Sequence, residues 1–178
     1  MNNQLIINKT ELEVFDTFNK KYCNIAISIC CLLAKFQIVA LRINDSEHIT
    51  DIGLNEYDPM GFYINKTEYD ASSTYAEIVI NEKKCEELEL SSHELYAAIA
   101  HEVGHVIFYF REDKENKKNM EEIICDQYAC RMGLADSLIS LLDKLIGSGD
   151  YSQDHVRLLS NRKRFIAAYI DAEGCLVK

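Results

Sequence analysis

Proline and glycine are scarce in this chain, which has one proline, Pro59, and seven glycines among its 178 residues. Such a composition argues against a low-complexity or linker-like chain, and no internal period indicates structural repeats. Apolar residues make up 48% of the sequence and charged residues 27%, as in an ordered domain. We therefore expect a single domain spanning residues 1–178, long enough to bury a sizeable core.

Basic residues are also fewer than acidic residues. The chain has 19 lysines and arginines against 29 acidic residues, for a formal net charge of −10. A surface of this sign repels phosphate backbones, so no nucleic-acid partner is expected. The one basic run, residues 161–164, is typical of the solvated face of a helix.

Patterns typical of secreted and membrane proteins are missing as well. The seven cysteines form no Cys-x-x-Cys pair, and the first twenty residues carry several charges instead of a secretory signal. The longest apolar stretch, residues 24–41, is interrupted by Lys35 and Gln37, which leaves it short of the roughly 20 residues of a membrane span. We expect a cytoplasmic protein with reduced thiols and no membrane anchor.

Hydrophobic periodicity predicts an α+β fold in which strands precede helices. Residues 10–35 are predicted as a helix and residues 44–61 as an irregular loop. The expected sheet is small and twisted, with about three strands, at 37–44, 62–65 and 75–81. The strand at 75–81 has one wholly apolar face and one mixed face, which predicts a half-exposed strand near a sheet edge, and we expect it to be an edge strand.

The second half of the sequence is predicted to be helical. Ser91 followed by Glu94 forms a capping-box pattern, which indicates a helix that continues to about residue 110. A charged connection precedes a helix over 120–132 that stops near Gly133. Two more helices are expected at 135–146 and 154–172.

The motif HEVGH lies in the first of these helices and comprises His101, Glu102 and His105. At about 100° per residue, the two imidazoles fall on one stripe, separate from the apolar stripe of the same helix. Spacing of i, i+4 delivers two nitrogens to one zinc ion, and the glutamate is offset enough to reach a zinc-bound water instead. The alternative is that both histidines simply face solvent.

A third ligand is expected on the following helix. Glu122 and Asp126 are four residues apart, so Glu122 can complete a two-histidine, one-glutamate site while Asp126 accepts a hydrogen bond from a ligand imidazole. Glu121 is the rival ligand, although its i+4 neighbour, Cys125, is a poorer partner. Cys125 and Cys130 themselves are interpreted as ordinary buried thiols.

This pattern resembles the gluzincin metallopeptidases, which combine H-E-x-x-H with E-x-x-x-D on a second helix. Residues 75–170 are similar to the soluble relatives of the CAAX prenyl proteases and to the minigluzincins. The resemblance implies a zincin-like fold, zinc bound by His101, His105 and Glu122, and Glu102 as the general base. It also implies a peptide substrate paired antiparallel to strand 75–81, above the active-site helix.

Relatives often carry a histidine-proline pair and then an arginine near the substrate carbonyl. His155, with Arg162 or Arg164, stands at about that spacing, but Val156 replaces the proline. Other candidates for stabilising the oxyanion are the tyrosines at positions 128 and 151.

The function expected from these residues is that of a soluble zinc endopeptidase, in which Glu102 takes a proton from a zinc-activated water. Two alternatives remain open. One is a regulatory zinc protease that acts on a single protein partner. The other is a zinc-binding module without catalytic activity.

Overall fold

The computed structural model describes residues 3–7, 10–14, 40–44, 55, 57–65, 75–109 and 114–176. The chain divides into two compact units, Met1–Cys85 and Glu86–Lys178, and each is considered by itself. The single zincin-like domain expected over residues 1–178 therefore stays a prediction. The sequence does not indicate whether segment 44–74 forms a lid, and most of that segment lies outside the described residues.

The first unit contains a five-stranded mixed sheet. Its strands are β1 (Asn3–Ile7), β2 (Thr10–Val14), β3 (Ala40–Asn44), β4 (Met60–Asn65) and β5 (Tyr75–Ile80). Their spatial order is β1-β2-β3-β5-β4. β3 pairs parallel with both β2 and β5, whereas β1 pairs antiparallel with β2, and β4 pairs antiparallel with β5.

Three strands were predicted in this region, and the described parts of all three are confirmed. The helix expected over 10–35 is wrong for Thr10–Val14, which forms β2; residues 15–35 lie outside the described residues. Leu12 and Val14 alternate there with Glu11 and Glu13, and this period of two belongs to a strand. β4 also begins at Met60, inside the stretch predicted as a loop.

β5 is an interior strand, so its prediction as an edge strand is wrong. It pairs with β3 on one side and with β4 on the other. Ile78, Val79 and Ile80 are all fully buried, which shows that both faces of the strand are covered at these positions. Because its backbone groups are already engaged on both sides, a substrate peptide cannot extend the sheet along 75–80.

The second half of the chain is helical, as predicted, and together with the sheet it makes the fold α+β. The helices are α1 (Glu82–Glu87), α2 (Ser92–Tyr109), α3 (Lys114–Lys117), α4 (Glu121–Arg131), α5 (Ala135–Ser148) and α6 (Gln153–Leu176), with a 3-10 turn at Lys118–Met120. The four longer helices match the predicted ones to within a few residues. None of the described helices is both long and apolar enough to cross a membrane.

The N-terminus of α2 is fixed by the capping box that the sequence predicted. The Glu94 backbone N–H donates to Ser91 Oγ at 3.3 Å, and the Ser91 N–H donates to Glu94 Oε2 at 2.7 Å. The same carboxylate accepts hydrogen bonds from Ser140 Oγ at 2.7 Å and from Lys144 Nζ at 2.8 Å, both on α5. One buried carboxylate thus ties the start of α2 to α5.

The core of the second unit lies among its long helices. α2 packs against α4 and α5, and α6 packs against the same two helices. The buried apolar side chains come from all four helices and include Leu95, Ile99, Val103, Ile107, Cys125, Ala129, Leu138, Leu142, Leu159 and Ile166. This packing holds α2 and α4 side by side, which brings their polar residues together.

Glu94 provides a test of this packing. Burial raises its pKa, but the hydrogen bonds from Lys144, Ser140 and Ser91 lower it by more, so that the net pKa falls from 4.5 to about 2. A carboxyl whose pKa is lower in the folded state stabilises the protein above about pH 4.5, and this contribution is lost as the pH falls towards 2. We expect Glu94→Gln to lower the free energy of unfolding at pH 7 by roughly 2–3 kcal/mol.

The measurement is urea unfolding followed by circular dichroism between pH 7 and pH 2. The difference between Glu94→Gln and the unaltered protein should shrink below pH 4.5. Glu115→Gln serves as the matched control, because Glu115 is exposed and its loss should change stability little. A pH-independent difference would contradict the role assigned to the ionised carboxylate.

Candidate metal centre

The two histidines of HEVGH are buried and face each other. His101 is 6% exposed and His105 is 7% exposed, so the alternative that they face solvent is wrong. Their Nε2 atoms lie 3.1 Å apart, and the rings meet edge to face with centroids 4.8 Å apart. Spacing of i, i+4 on α2 therefore brings two imidazole nitrogens to one point, as the sequence predicted.

Glu122, at the start of α4, completes a cluster of three possible ligands. Its Oε2 lies 3.4 Å from His101 Nε2, and its Oε1 lies 3.4 Å from His105 Nε2. Zinc bonded to tetrahedral nitrogen and oxygen donors at about 2.0–2.1 Å sets those donors about 3.3 Å apart. The distances from the imidazole nitrogens to each other and to the nearer Glu122 oxygen are close to this value, although the two Glu122 distances end on different oxygens. One ligand atom from each of the three residues lies within 4.8 Å of the other two. The three side chains therefore converge on one point, and the 52% exposure of the Glu122 side chain leaves the centre accessible.

Each imidazole also has a carboxylate at its other nitrogen. His101 Nδ1 lies 2.8 Å from Asp126 Oδ1, and His105 Nδ1 lies 2.9 Å from Glu121 Oε1. A carboxylate that accepts from Nδ1–H fixes the tautomer in which Nε2 carries a lone pair, which is the form that binds a metal. Both rings are thus oriented and polarised towards the cluster.

Asp126 lies beside an imidazole nitrogen, where it was predicted, whereas Glu121 is not among the three side chains that converge as candidate ligands. The structure places Glu121 on the outward nitrogen of His105. The sequence contained a signal for this contact, because a metal-binding imidazole usually donates its other ring N–H to an acceptor. Only one acceptor, Asp126, is predicted for the two histidines.

A glycine allows α2 and α4 to approach closely enough for these contacts. A Cβ atom added at Gly104 would lie 2.7 Å from Cys125 Cα and 3.1 Å from its carbonyl oxygen. Both atoms belong to the backbone of α4, so they can move only if the helix moves. Glu121, Glu122 and Asp126 depend on this approach because all three reach the histidines from α4.

Arg162, on α6, is the only one of the predicted downstream residues that the structure brings to the described cluster. Its Nε donates to Asp126 Oδ2 at 2.9 Å, and its Nη2 donates to Asp126 Oδ1 at 2.6 Å. Its Nη1 lies 3.0 Å from Glu122 Oε2. Arg164, the alternative arginine, is exposed.

His155 lies at the start of α6 in a different environment. Its ring stacks on Tyr151 with a centroid separation of 4.7 Å, and its backbone N–H donates to Ser152 Oγ at 3.3 Å. The other candidate tyrosine, Tyr128, packs beneath the Arg131 guanidinium at 6.0 Å. These contacts do not support the predicted role of His155 near a substrate carbonyl.

Glu102 is buried on α2 beside the first histidine, with an exposure of 9%. Its negative charge contributes to raising the pKa of Arg162 and of Cys125, which indicates that it lies close to the same cluster. Burial raises the pKa of the Cys125 thiol well above its usual range, and the surrounding carboxylates raise it further. Cys125 is fully buried, as the sequence predicted.

The excess of carboxylates dominates the electrostatics of the centre. Burial and the Arg162 guanidinium lower the pKa of His101, but Asp126 and Glu122 raise it by more, to about 9. Burial raises the pKa of Glu122, but contacts with His101 and Arg162 bring it below its usual range. Metal binding therefore has to displace a proton from the His101 ring.

Comparison of the whole chain with models of protein families, with curated proteins and with solved structures finds no match. The interpretation of this centre therefore depends on its own geometry.

The close approach at Gly104 leads to a prediction. Gly104→Ala should push α4 away from α2 and cost about 1–3 kcal/mol of stability, as other overpacking substitutions do. It should also weaken zinc binding, because the carboxylates of α4 move with the helix. Gly147→Ala is the matched control, since a Cβ there has no neighbour within 4 Å and alanine favours the helix.

Thermal unfolding and zinc titration of both variants provide the measurement. If Gly104→Ala were as stable as Gly147→Ala and bound zinc equally well, the helix approach would not set the site.

Proposed function

We propose that this protein is a zinc-dependent peptidase of the gluzincin type, with a zincin-like arrangement of α2 and α4 around the metal. One observation carries the proposal. Two buried imidazoles and one carboxylate converge, with one ligand atom from each within 4.8 Å of the others, and each imidazole has a carboxylate at its outer nitrogen. Two histidines that were close by chance, or that lay on a solvated helix face, would not each need a carboxylate at the outer nitrogen.

The donor set favours zinc among the common divalent ions. Imidazole nitrogens suit zinc, whereas magnesium and calcium prefer sites made wholly of oxygen. His101, His105 and Glu122 would hold the ion as three protein ligands, the number found in catalytic zinc sites that keep one position open. An ion held there would supply Lewis-acid chemistry, since zinc in such sites lowers the pKa of a coordinated water towards about 7 and polarises a carbonyl oxygen.

Glu102 supplies the proton transfer in this proposal. Its carboxylate follows the ligand His101 directly on α2, and its offset of about 100° around the helix separates it from the ligand stripe. It takes a proton from the attacking water and returns that proton to the leaving amine. The presence of this buried carboxylate favours a peptidase over a zinc-binding module without catalytic activity.

A peptide is the proposed substrate, although pairing along β5 has no part in the proposal because β5 is an interior strand. We place the enzyme in the cytoplasm, since its seven cysteines form no Cys-x-x-Cys pair and thiols stay reduced in that compartment.

Glu102→Gln tests the catalytic half of this proposal. The amide is nearly isosteric with the carboxylate but cannot accept the proton of the attacking water. We expect the variant to retain one equivalent of zinc while its peptide hydrolysis falls by at least about 100-fold. Hydrolysis is measured on a library of quenched fluorescent peptides, and the zinc content is measured by mass spectrometry of the same samples.

Two histidine variants provide the controls. His105→Ala should lose both zinc and activity, whereas His93→Ala, which alters an exposed histidine on the same helix, should lose neither. A chelator should abolish hydrolysis by the unaltered protein, and added zinc should restore it. Full activity in Glu102→Gln would refute the proposed role of this residue.

A further inference from the structure

The Arg162 guanidinium lies against the ring of the ligand His101. Its Nη2 is 3.1 Å from Nδ1 and 3.3 Å from Nε2 of that ring. The lone-pair directions of the two ring nitrogens diverge within the ring plane, so an atom nearly equidistant from both lies over the ring face. The guanidinium therefore supports the ring from one side and stays out of the in-plane direction in which Nε2 would bind a metal.

The guanidinium nitrogens of Arg162 also contact the carboxylates around the ring. Nε and Nη2 form a two-pronged pair with both oxygens of Asp126, and Nη1 contacts Glu122. Asp126 is 2% exposed, and a carboxylate so deeply buried is stable only when it is paired. A planar guanidinium can satisfy this fork, whereas the single ammonium of a lysine cannot.

Arg162 thus connects two proposed ligands, Glu122 and the ring of His101. It also holds Asp126, the carboxylate that orients this ring. The Arg162 side chain is only 14% exposed and its three nitrogens point at protein atoms. A donor to a substrate oxyanion would have to point at the position where the oxyanion forms. The observed geometry is that of a support for the ligands.

We propose that Arg162 is a positioning residue of the metal centre, which holds Asp126, Glu122 and His101 in the arrangement that binds zinc, and that it does not act on the substrate. The inference rests on the proposed function and assigns Arg162 a role other than the one the sequence pattern implied. A zinc ion held by these residues would also offset part of the negative charge that Glu102, Glu121, Glu122 and Asp126 bring together.

The experiment measures the zinc affinity of the full chain by competition with a chromophoric chelator. Arg162→Met should weaken zinc binding by about 10- to 100-fold, the usual effect of losing a residue that supports metal ligands. Arg162→Lys should keep only a small part of the affinity, because it retains the charge but not the fork. Arg164→Met, two residues along the same helix and exposed, should stay within about twofold of the unaltered protein.

A double-mutant cycle gives a second readout that a merely structural role would not produce. The loss of zinc affinity in Arg162→Met should be largely non-additive with that in Asp126→Asn, because both substitutions release the same ring. The helical circular dichroism of each variant is recorded first. If Arg162→Met does not fold, Arg162→Lys carries the comparison.

The outcomes separate the two proposals. Unchanged zinc affinity with a lower kcat would overturn this inference, because the arginine would then act on the substrate. Tighter zinc binding in Arg162→Met would overturn it as well, since the guanidinium would then oppose the metal. If the unaltered protein bound no zinc, the proposed function would fail and this inference would fail with it.

Discussion

The close packing of α2 against α4 is the constraint on which the candidate centre depends. Gly104 lets the two backbones approach at Cys125, and a single added Cβ would already meet the α4 backbone at 2.7 Å. Because Glu121, Glu122 and Asp126 all belong to α4, this one approach sets their distances to both histidines. The capping box of α2 and the α5 contacts of Glu94 fix the end of α2 that lies before the HEVGH motif.

The centre also brings several ionisable side chains together in a buried environment. Several carboxylates surround two buried imidazoles, and burial alone would shift the pKa of each group towards its neutral form. The structure offsets this tendency with mutual hydrogen bonds and with one guanidinium, so the pKa of Asp126 stays low and that of His101 is raised. Such a cluster is poised to accept a divalent cation, since the cation would replace a ring proton and neutralise the remaining carboxylates.

The sequence predicted that the side chains of the candidate centre lie together, because the periodicities that place them are local. His101 and His105 share a helix, as do Glu122 and Asp126, and a rise of 1.5 Å per residue fixes which side chains lie on one face. The assignment of Asp126 to an imidazole followed from the same spacing. The helices of the second unit were predicted for a similar reason, since caps and glycines mark their ends.

Features that depend on contacts between residues far apart in the sequence were harder to predict. The position of β5 inside the sheet depends on β3 and β4, and its apolar residues fit an interior strand as well as an edge strand. Thr10–Val14 was assigned to a helix because apolar residues further along suggested a longer period. The role of Arg162 could not be obtained from spacing, because it depends on how α6 packs against α4. The contact of Glu121 with His105 was not predicted, because the sequence pattern had suggested an acceptor for only one of the two imidazoles.

The central claim is that two imidazoles and a carboxylate hold one zinc ion. X-ray absorption at the zinc edge of the purified protein tests it most directly, because it reports the atoms bonded to the metal. The account predicts two imidazole nitrogens and additional oxygen ligands, all at about 2.0–2.2 Å. Scattering from sulfur at about 2.3 Å would contradict it, because the zinc would then be held by some of the seven cysteines.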